Sequence, residues 1–453
     1  MDSFQIGILL SVLCYLAVGW YAGRRVKHLD DYFVAGRNAP TILILGTLVA
    51  SFLSTNAFMG EAGVSYRGHA PLIIIMTAVN CIGYVVGAFF FGRYLRRSEA
   101  LTVPTFFRMR FDSWRIQRFA GFSIVAGLTA YLLAVTWGMG LVMSEVTGLD
   151  SSAAIVTVWL SYTLFTLYSG SRGVILTDTM MFLLFTAIII VAVFFIVEAA
   201  GGWNTTIEAL TNYKEKPGLI AWHGRVGSDV HWKTPLDGLL WAVILGLAWG
   251  IVVAVSPWQS SRYLMAKNEH VIIRAACGAL IALLVLYPVI NFGSTAVNLI
   301  NPDIDPPEST LIWVAKEVLP TILGPLLVCG VLAAGLSSAS TFLSLVGFSV
   351  SQDILGSTDP NQSANVSGSR LPDIGRLHSA RWAMLVVGLV VIALALALPR
   401  EIFWLTNFAG PLFASSWGVV AFMSIWSKKI TEAGAFWGMV TGFLVNVGMN
   451  ILS

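Results

Sequence analysis

The run AAGLSSASTFLSLVGFSVSQDI, residues 333–354, places two adjacent hydroxyls, Ser337 and Ser338, on a long apolar segment. From residue 319 to residue 348 there is no charged side chain. Such a stretch exceeds the roughly 20 residues that a helix needs to cross the hydrocarbon core of a bilayer. Hydrocarbon offers a hydroxyl no water, so each of these serines needs a backbone carbonyl, a neighbouring helix or a bound ion as partner.

Outward from this run the same character repeats along the whole chain. Hydrophobic residues make up 57% of the 453 and charged residues only 11%, against about a quarter charged in a soluble domain. Twelve apolar stretches are long enough to span: about 5–22, 41–65, 71–92, 119–146, 152–169, 174–199, 238–257, 272–299, 319–348, 380–398, 402–426 and 433–452. The fold class expected is an all-α polytopic membrane protein, residues 1–453 forming a single membrane domain.

Charge placement predicts the topology. Asp2 precedes the first stretch, while Arg24, Arg25 and Lys27 follow it. This is the reverse of a cleaved signal peptide and puts the N-terminus outside by the positive-inside rule. Alternating the twelve spans from there assigns twenty Lys and Arg residues to cytoplasmic segments and six to external ones. Both termini are then external, and the net charge of +3 reflects topology and not affinity for nucleic acid. Cys14, Cys81, Cys277 and Cys329 all fall within spans without paired spacing, so neither a disulfide framework nor a metal site is indicated.

Spans 2–6 and 7–11 divide into two five-helix halves, about 41–199 and 238–426, with span 1 and residues 433–452 as accessory helices. An odd number of spans per half gives the halves opposite orientation, an inverted repeat whose leading helices should be broken near mid-membrane. Span 2 turns polar at VASFLSTNAFMGEAG (49–63), and span 7 carries Gly246, Gly250 and Pro257. The external segment 200–237, rich in Trp and Gly, is expected to fold over the outer mouth. The Ser/Asn/Gly/Pro-rich segment 355–378 reads as a flexible link.

Several motifs in this order resemble the sodium:solute symporter family, whose members carry proline, pantothenate, acetate, sugars and similar solutes. They are DDYFVAGR (30–37), LTVP (101–104) with Arg110-Phe111, GVILTDT (173–179), SPWQSSR (256–262), and Gly335 to Ser338 followed by Asp353-Ile354. Three positions depart from the family pattern: Thr105 where an acid is usual, Met181 for a common Gln, and Trp258 for His. The resemblance implies the leucine-transporter-like fold, sodium-coupled uptake and no other cofactor. It also implies one Na+ site, made by the backbone carbonyls of Ala50, Leu53 and Ala334 and the hydroxyls of Ser337 and Ser338.

The chemistry of that set suits a hard monovalent cation, which takes about five oxygens and must later be released. The other reading of the serines is a back-bond to a carbonyl one turn earlier or small-residue helix packing. Ser54, Thr55 and Asn56 follow the expected break and are the candidates for contacting solute, with Trp249 as a cavity wall. A helix N-terminus there favours a carboxylate, and hydrogen bonding to neighbouring helices is the alternative role. Glu61 is expected at the outer interface beside Arg67, and an Asp353–Arg262 inner-gate pair is weighed against simple interface anchoring. The expected activity is import of a small polar, carboxylate-bearing solute with sodium across the cell membrane. A proton-coupled or sodium-independent carrier and a non-transporting sensor are the rivals. The six histidines lie in loops or at span ends, which disfavours a membrane enzyme. Partners are the solute, sodium and lipid; the identity of the solute and the oligomeric state are not readable.

Overall fold

The computed structural model describes residues 3–24, 26, 28–228, 230–356, 374–398 and 402–452. Most of the expected link 355–378 lies outside the described residues. The structure is all-helical, and its membrane-spanning helices fall close to the apolar stretches. They are α1 (Ser3–Gly23), α2 (Thr41–Phe52), α3 (Asn56–Arg97), α4 (Trp114–Thr147), α5 (Ser151–Tyr168), α6 (Gly170–Ala199), α7 (Pro235–Val255), α8 (Pro257–Met265), α9 (Glu269–Leu299), α10 (Leu323–Ile354), α11 (Ile374–Ala397), α12 (Ile402–Trp426) and α13 (Glu432–Leu452).

Among the described residues these thirteen pieces make twelve crossings. At about 1.5 Å per residue, the 42 residues of α3 would run ~63 Å, about twice the hydrocarbon thickness. The run is bent at Gly68, whose φ of 105° suits glycine. Residues 56–69 thus complete the crossing that α2 begins, and residues 70–97 form the next. Likewise α7 and α8 are two parts of one crossing. Between α5 and α6 the chain turns at Gly170 (φ 54°, ψ −159°), where a Cβ would fall 2.5 Å from the Tyr32 ring.

Burial orders these helices around a centre. In α10, 94% of the most apolar window is buried within the protein, against 22% in α1 and 11% in α13. Lipid solvates apolar side chains as well as protein does. The exposed leucines and isoleucines of α1 and α13 therefore need no protein cover. Both leading helices are interrupted, as the inverted repeat requires. The first breaks at Leu53 and Ser54. The second breaks at Ser256 (φ −57°, ψ 148°), with Pro257 opening α8, where a missing N–H costs nothing.

Gly246 and Gly250 do not mark the second break; they are helical and let α7 lie against α3. A Cβ on Gly83 would stand 2.1 Å from the Gly250 carbonyl oxygen, and one on Gly246 would stand 2.8 Å from that of Met76. Backbone cannot retreat cheaply from such contacts. Gly83→Ala is therefore expected to destabilise the protein by about 1–3 kcal/mol, read as a lower thermal midpoint in detergent. Gly448→Ala is the control, because a Cβ there meets nothing within 4 Å.

The Trp/Gly-rich segment contains a helix, Trp203–Thr211, and closes over one end of the bundle. The Arg225 amide donates to the Gly68 carbonyl at 3.0 Å. Trp232 packs edge-on to His69 with centroids 4.6 Å apart, and Lys216 Nζ donates to Asn298 Oδ1 at 2.5 Å. Packing against the ring of Tyr66 and among these groups lowers the affinity of the Lys216 amine for its proton through lost hydration. At the opposite end the DDYFVAGR motif ties loops together. Arg172 pairs with Asp31 at 3.0 Å, and Arg37 donates to the carbonyls of Ala100 and Glu99 at 3.1 and 2.6 Å.

Candidate functional site

The break in the first leading helix frees two carbonyls. In an unbroken helix the Ser54 amide would bond Ala50 O and the Ala57 amide would bond Leu53 O. Instead Ser54 N donates to Phe52 O at 2.9 Å and Ala57 N to Ser54 O at 3.1 Å. Ala50 and Leu53, both fully buried, thus lose their helical donors deep in the protein. Such groups need another partner.

Two neighbours hold the broken end in place through the carbonyl of Leu48. Tyr84 Oη on α3 donates to it at 3.2 Å, and Gln259 Nε2 on α8 at 3.4 Å. The second break therefore serves the first: Ser256 and Pro257 restart the chain so that Gln259 reaches the end of α2.

Ser337 and Ser338 are both fully buried on α10, and neither back-bonds to its own helix. Ser337 Oγ donates to Asp178 Oδ1 at 2.7 Å, which leaves the oxygen's lone pairs uncommitted. Among the described residues Ser338 Oγ has no hydrogen-bond partner. A buried hydroxyl in that condition costs about 1–3 kcal/mol, so it calls for an explanation.

Asp178, on α6, joins these elements. Its Oδ2 accepts from Thr47 Oγ1 at 2.5 Å, one helical turn before Ala50, and from Arg262 Nη2 at 3.3 Å. Arg262 also donates to Thr341 Oγ1, one turn beyond Ser338. Four elements, α2, α6, α8 and α10, are pinned around one buried carboxylate, with Asp178 at 0% and Arg262 at 2% exposure. Asp178 is not among the site residues expected from the sequence, although an acid inside the apolar run VILTDTMMFLLF (174–185) is a signal of function in itself.

The Asp353–Arg262 inner-gate pair weighed against interface anchoring is not formed: Arg262 is committed to Asp178. Asp353 is held by neutral donors, Thr102 Oγ1 at 2.6 Å and Gln117 Nε2 at 2.8 Å, with Thr105 Oγ1 3.3 Å away. An acid at position 105, the family's usual residue, would face that carboxylate; threonine donates to it instead.

Beyond the break, Ser54, Thr55 and Asn56 are all buried. Ser54 Oγ accepts from the Asn56 amide at 3.1 Å, capping the restarted helix. Thr55 is wedged against α4 and α10, where a Cβ on Gly138 would come 2.8 Å from its side chain and one on Gly335 2.7 Å; its hydroxyl is unbonded. Asn56 Nδ2 donates to Glu61 Oε1 at 3.0 Å. Glu61 is not at an interface. It is 7% exposed, and Arg67, expected beside it, lies 3.7 Å from Glu308 instead.

Trp249 lies 5% exposed and donates from Nε1 to Asn407 Oδ1 at 2.8 Å. Phe52 and Tyr131 flank it, with ring centroids at 6.2 and 6.4 Å. Trp258 is equally interior, 1% exposed and 5.6 Å from the Tyr131 ring; its position in the sequence hid this. Trp137 belongs elsewhere, bonding the Ala395 carbonyl at 2.9 Å in a small separate cluster.

An interrupted helix laid against an enclosed central helix, within a five-plus-five inverted repeat, defines a secondary transporter of the leucine-transporter fold. Consistent with this, a solved Na+-coupled sialic acid symporter superposes with a TM-score of 0.80 at 19% identity, covering 99% of this chain and 96% of that one. The model of the sodium:solute symporter family matches residues 32–442, and the chain belongs to that family. It is 22% identical to the sodium/pantothenate symporter of Escherichia coli, covering 97% of this chain and 89% of the relative. It is 24% identical to the high-affinity proline transporter PutP of Bacillus subtilis, covering 94% and 88%.

Proposed function

We propose that this protein imports a small polar solute together with sodium by alternating access. Residues 41–199 and 238–426 form the two repeats, and both termini lie outside the cell membrane. Sodium, as cargo, is held by the carbonyls of Ala50, Leu53 and Ala334 and the hydroxyls of Ser337 and Ser338. The observation that carries this reading is the coincidence of two carbonyls stripped of their helical donors with a buried, unbonded hydroxyl on the facing helix. Ser337 fits the same role, since its proton points to Asp178 and its lone pairs remain available.

Bound sodium would join α2 to α10 and hold the outward-open arrangement. Solute then enters beside Ser54, Thr55 and Asn56 against Trp249, and the bundle rocks. Sodium leaves to the cytoplasm because its five ligands are neutral, whatever field Asp178 adds being offset by Arg262. The membrane potential contributes about 2.3 kcal/mol per charge per 100 mV, beyond the concentration term. A carboxylate on the solute is supported by the helix dipole after the break, although the amides of Asn56 and Ala57 already bond Ser54.

Uptake by the purified protein in proteoliposomes tests the reading. An inward sodium gradient is expected to raise accumulation of a transported solute at least tenfold over an equal potassium gradient. Equal uptake in sodium-free buffer would point to the sodium-independent carrier, and uptake driven by a pH gradient alone to the proton-coupled one.

A further inference from the structure

Sodium binding leaves Glu61, in the solute region, without a purpose. It is 7% exposed, and among the described residues no lysine, arginine or histidine forms an ion pair with it. One carboxylate oxygen accepts a single bond, from Asn56 Nδ2 at 3.0 Å. The Tyr287 hydroxyl lies beside the group, yet Oε2 is left without a hydrogen bond. A carboxylate enclosed in this way needs a cation or a proton. The nearest basic residue in sequence, Arg67, is turned to Glu308.

Tyr287 and Tyr131 lie near Glu61, and with the rings packed on them they favour a cation that belongs to the solute. Phe52, at the break itself, lies 6.1 Å from Tyr287, which faces Glu61, and 6.2 Å from Trp249. Tyr131 continues the series, its ring 6.4 Å from Trp249 and its hydroxyl beside Ser54. Aromatic rings near a carboxylate are the chemistry that recognises ammonium groups, by cation–π attraction and charge-assisted hydrogen bonds. The unbonded side-chain oxygens on the same segment, Asn56 Oδ1 and Thr55 Oγ1, are acceptors for N–H donors. Thr55 Oγ1 can also donate, but Asn56 Oδ1 and Glu61 Oε2 only accept, so these two unmatched atoms suit an N–H donor and not a carboxylate.

We infer that the carried solute bears a protonated amine or another cationic nitrogen, and that Glu61 is its counter-ion within the aromatic wall formed by Phe52, Trp249 and Tyr287. The inference rests on the proposed sodium-coupled import and specifies the class of solute. A carboxylate, where present, is a second group on the same molecule, which makes zwitterions the best fit.

The test uses the full chain in proteoliposomes and a panel matched in size and shape. The panel holds amino acids, the corresponding 2-hydroxy and 2-oxo acids, and the corresponding amines without carboxylate, each with sodium or potassium gradients. Sodium-driven uptake confined to compounds with a cationic nitrogen is the expected result. Glu61→Gln should then raise KM for the transported compound about 10- to 100-fold, the loss of one charge-assisted contact, and leave sodium binding unchanged. Glu61→Asp should recover part of that loss. Sodium-driven uptake of the hydroxy or oxo acids would overturn the inference while leaving sodium coupling standing. Uptake driven by a proton gradient and abolished in Glu61→Gln would overturn it in favour of a proton-carrying carboxyl. Uptake of an amine-bearing compound that ignores sodium would instead contradict the coupling and leave the inference standing. Should Glu61→Gln fail to fold, the panel on the wild-type protein decides alone.

Discussion

Replacing both hydroxyls, Ser337→Ala with Ser338→Ala, is expected to raise the sodium concentration for half-maximal uptake by at least 100-fold. A contact to a charged species is worth about 1.5–3 kcal/mol, and two of the five proposed ligands are lost. Folding should be little affected by the second substitution. Ser338 Oγ is buried and unbonded, so Ser338→Ala removes an unsatisfied group and should leave the thermal midpoint in sodium-free buffer unchanged or slightly higher. The sign reverses when sodium is added. Wild type gains stability by mass action as a ligand of the folded state fills its site, and Ser338→Ala gains much less. Purely structural serines would give the opposite pattern, with destabilisation independent of sodium.

Asp178 carries the second large effect. Asp178→Ala strands the Arg262 guanidinium, 2% exposed, without its carboxylate and also removes the acceptors of Thr47 and Ser337. Breaking a buried ion pair from one side costs about 3–5 kcal/mol, to be read as a lower denaturation midpoint. Because the penalty comes from the orphaned charge, the double variant Asp178→Ala/Arg262→Leu should be more stable than Asp178→Ala. It should still respond poorly to sodium, since nothing then orients Ser337. If the double variant is as unstable as the single, the carboxylate's role lies in its neutral partners instead.

What was legible in the chain follows from how local each signal is. A bilayer crossing is written in about 20 consecutive residues, so most spans could be placed close to the helices, although the seventh, expected over 238–257, stops short of α8, which carries that crossing on to Met265. The first break was legible as a polar interruption at LSTNA (53–57), and the second as Pro257. The partners of Asp178 were not legible, lying 131, 84 and 159 residues away at Thr47, Arg262 and Ser337. No local pattern records such meetings. Glu61 misled for the opposite reason. Arg67 is near in sequence and suggested a surface pair, but the chain turns at Gly68 and carries Arg67 to Glu308. Trp258 sits near the end of an apolar run, where the sequence suggests an interface, whereas the restart at Ser256 buries it. The resemblance to a family supplied the ligand set; the structure adds the physical reason why two of those carbonyls are free.

The most direct measurement is equilibrium binding of radioactive sodium to the purified protein in detergent, without solute, for wild type and Ser337→Ala/Ser338→Ala. The account predicts saturable binding to wild type that potassium fails to displace, and loss of that binding in the variant at the same protein concentration and fold. Undiminished, saturable sodium binding by the variant would contradict it.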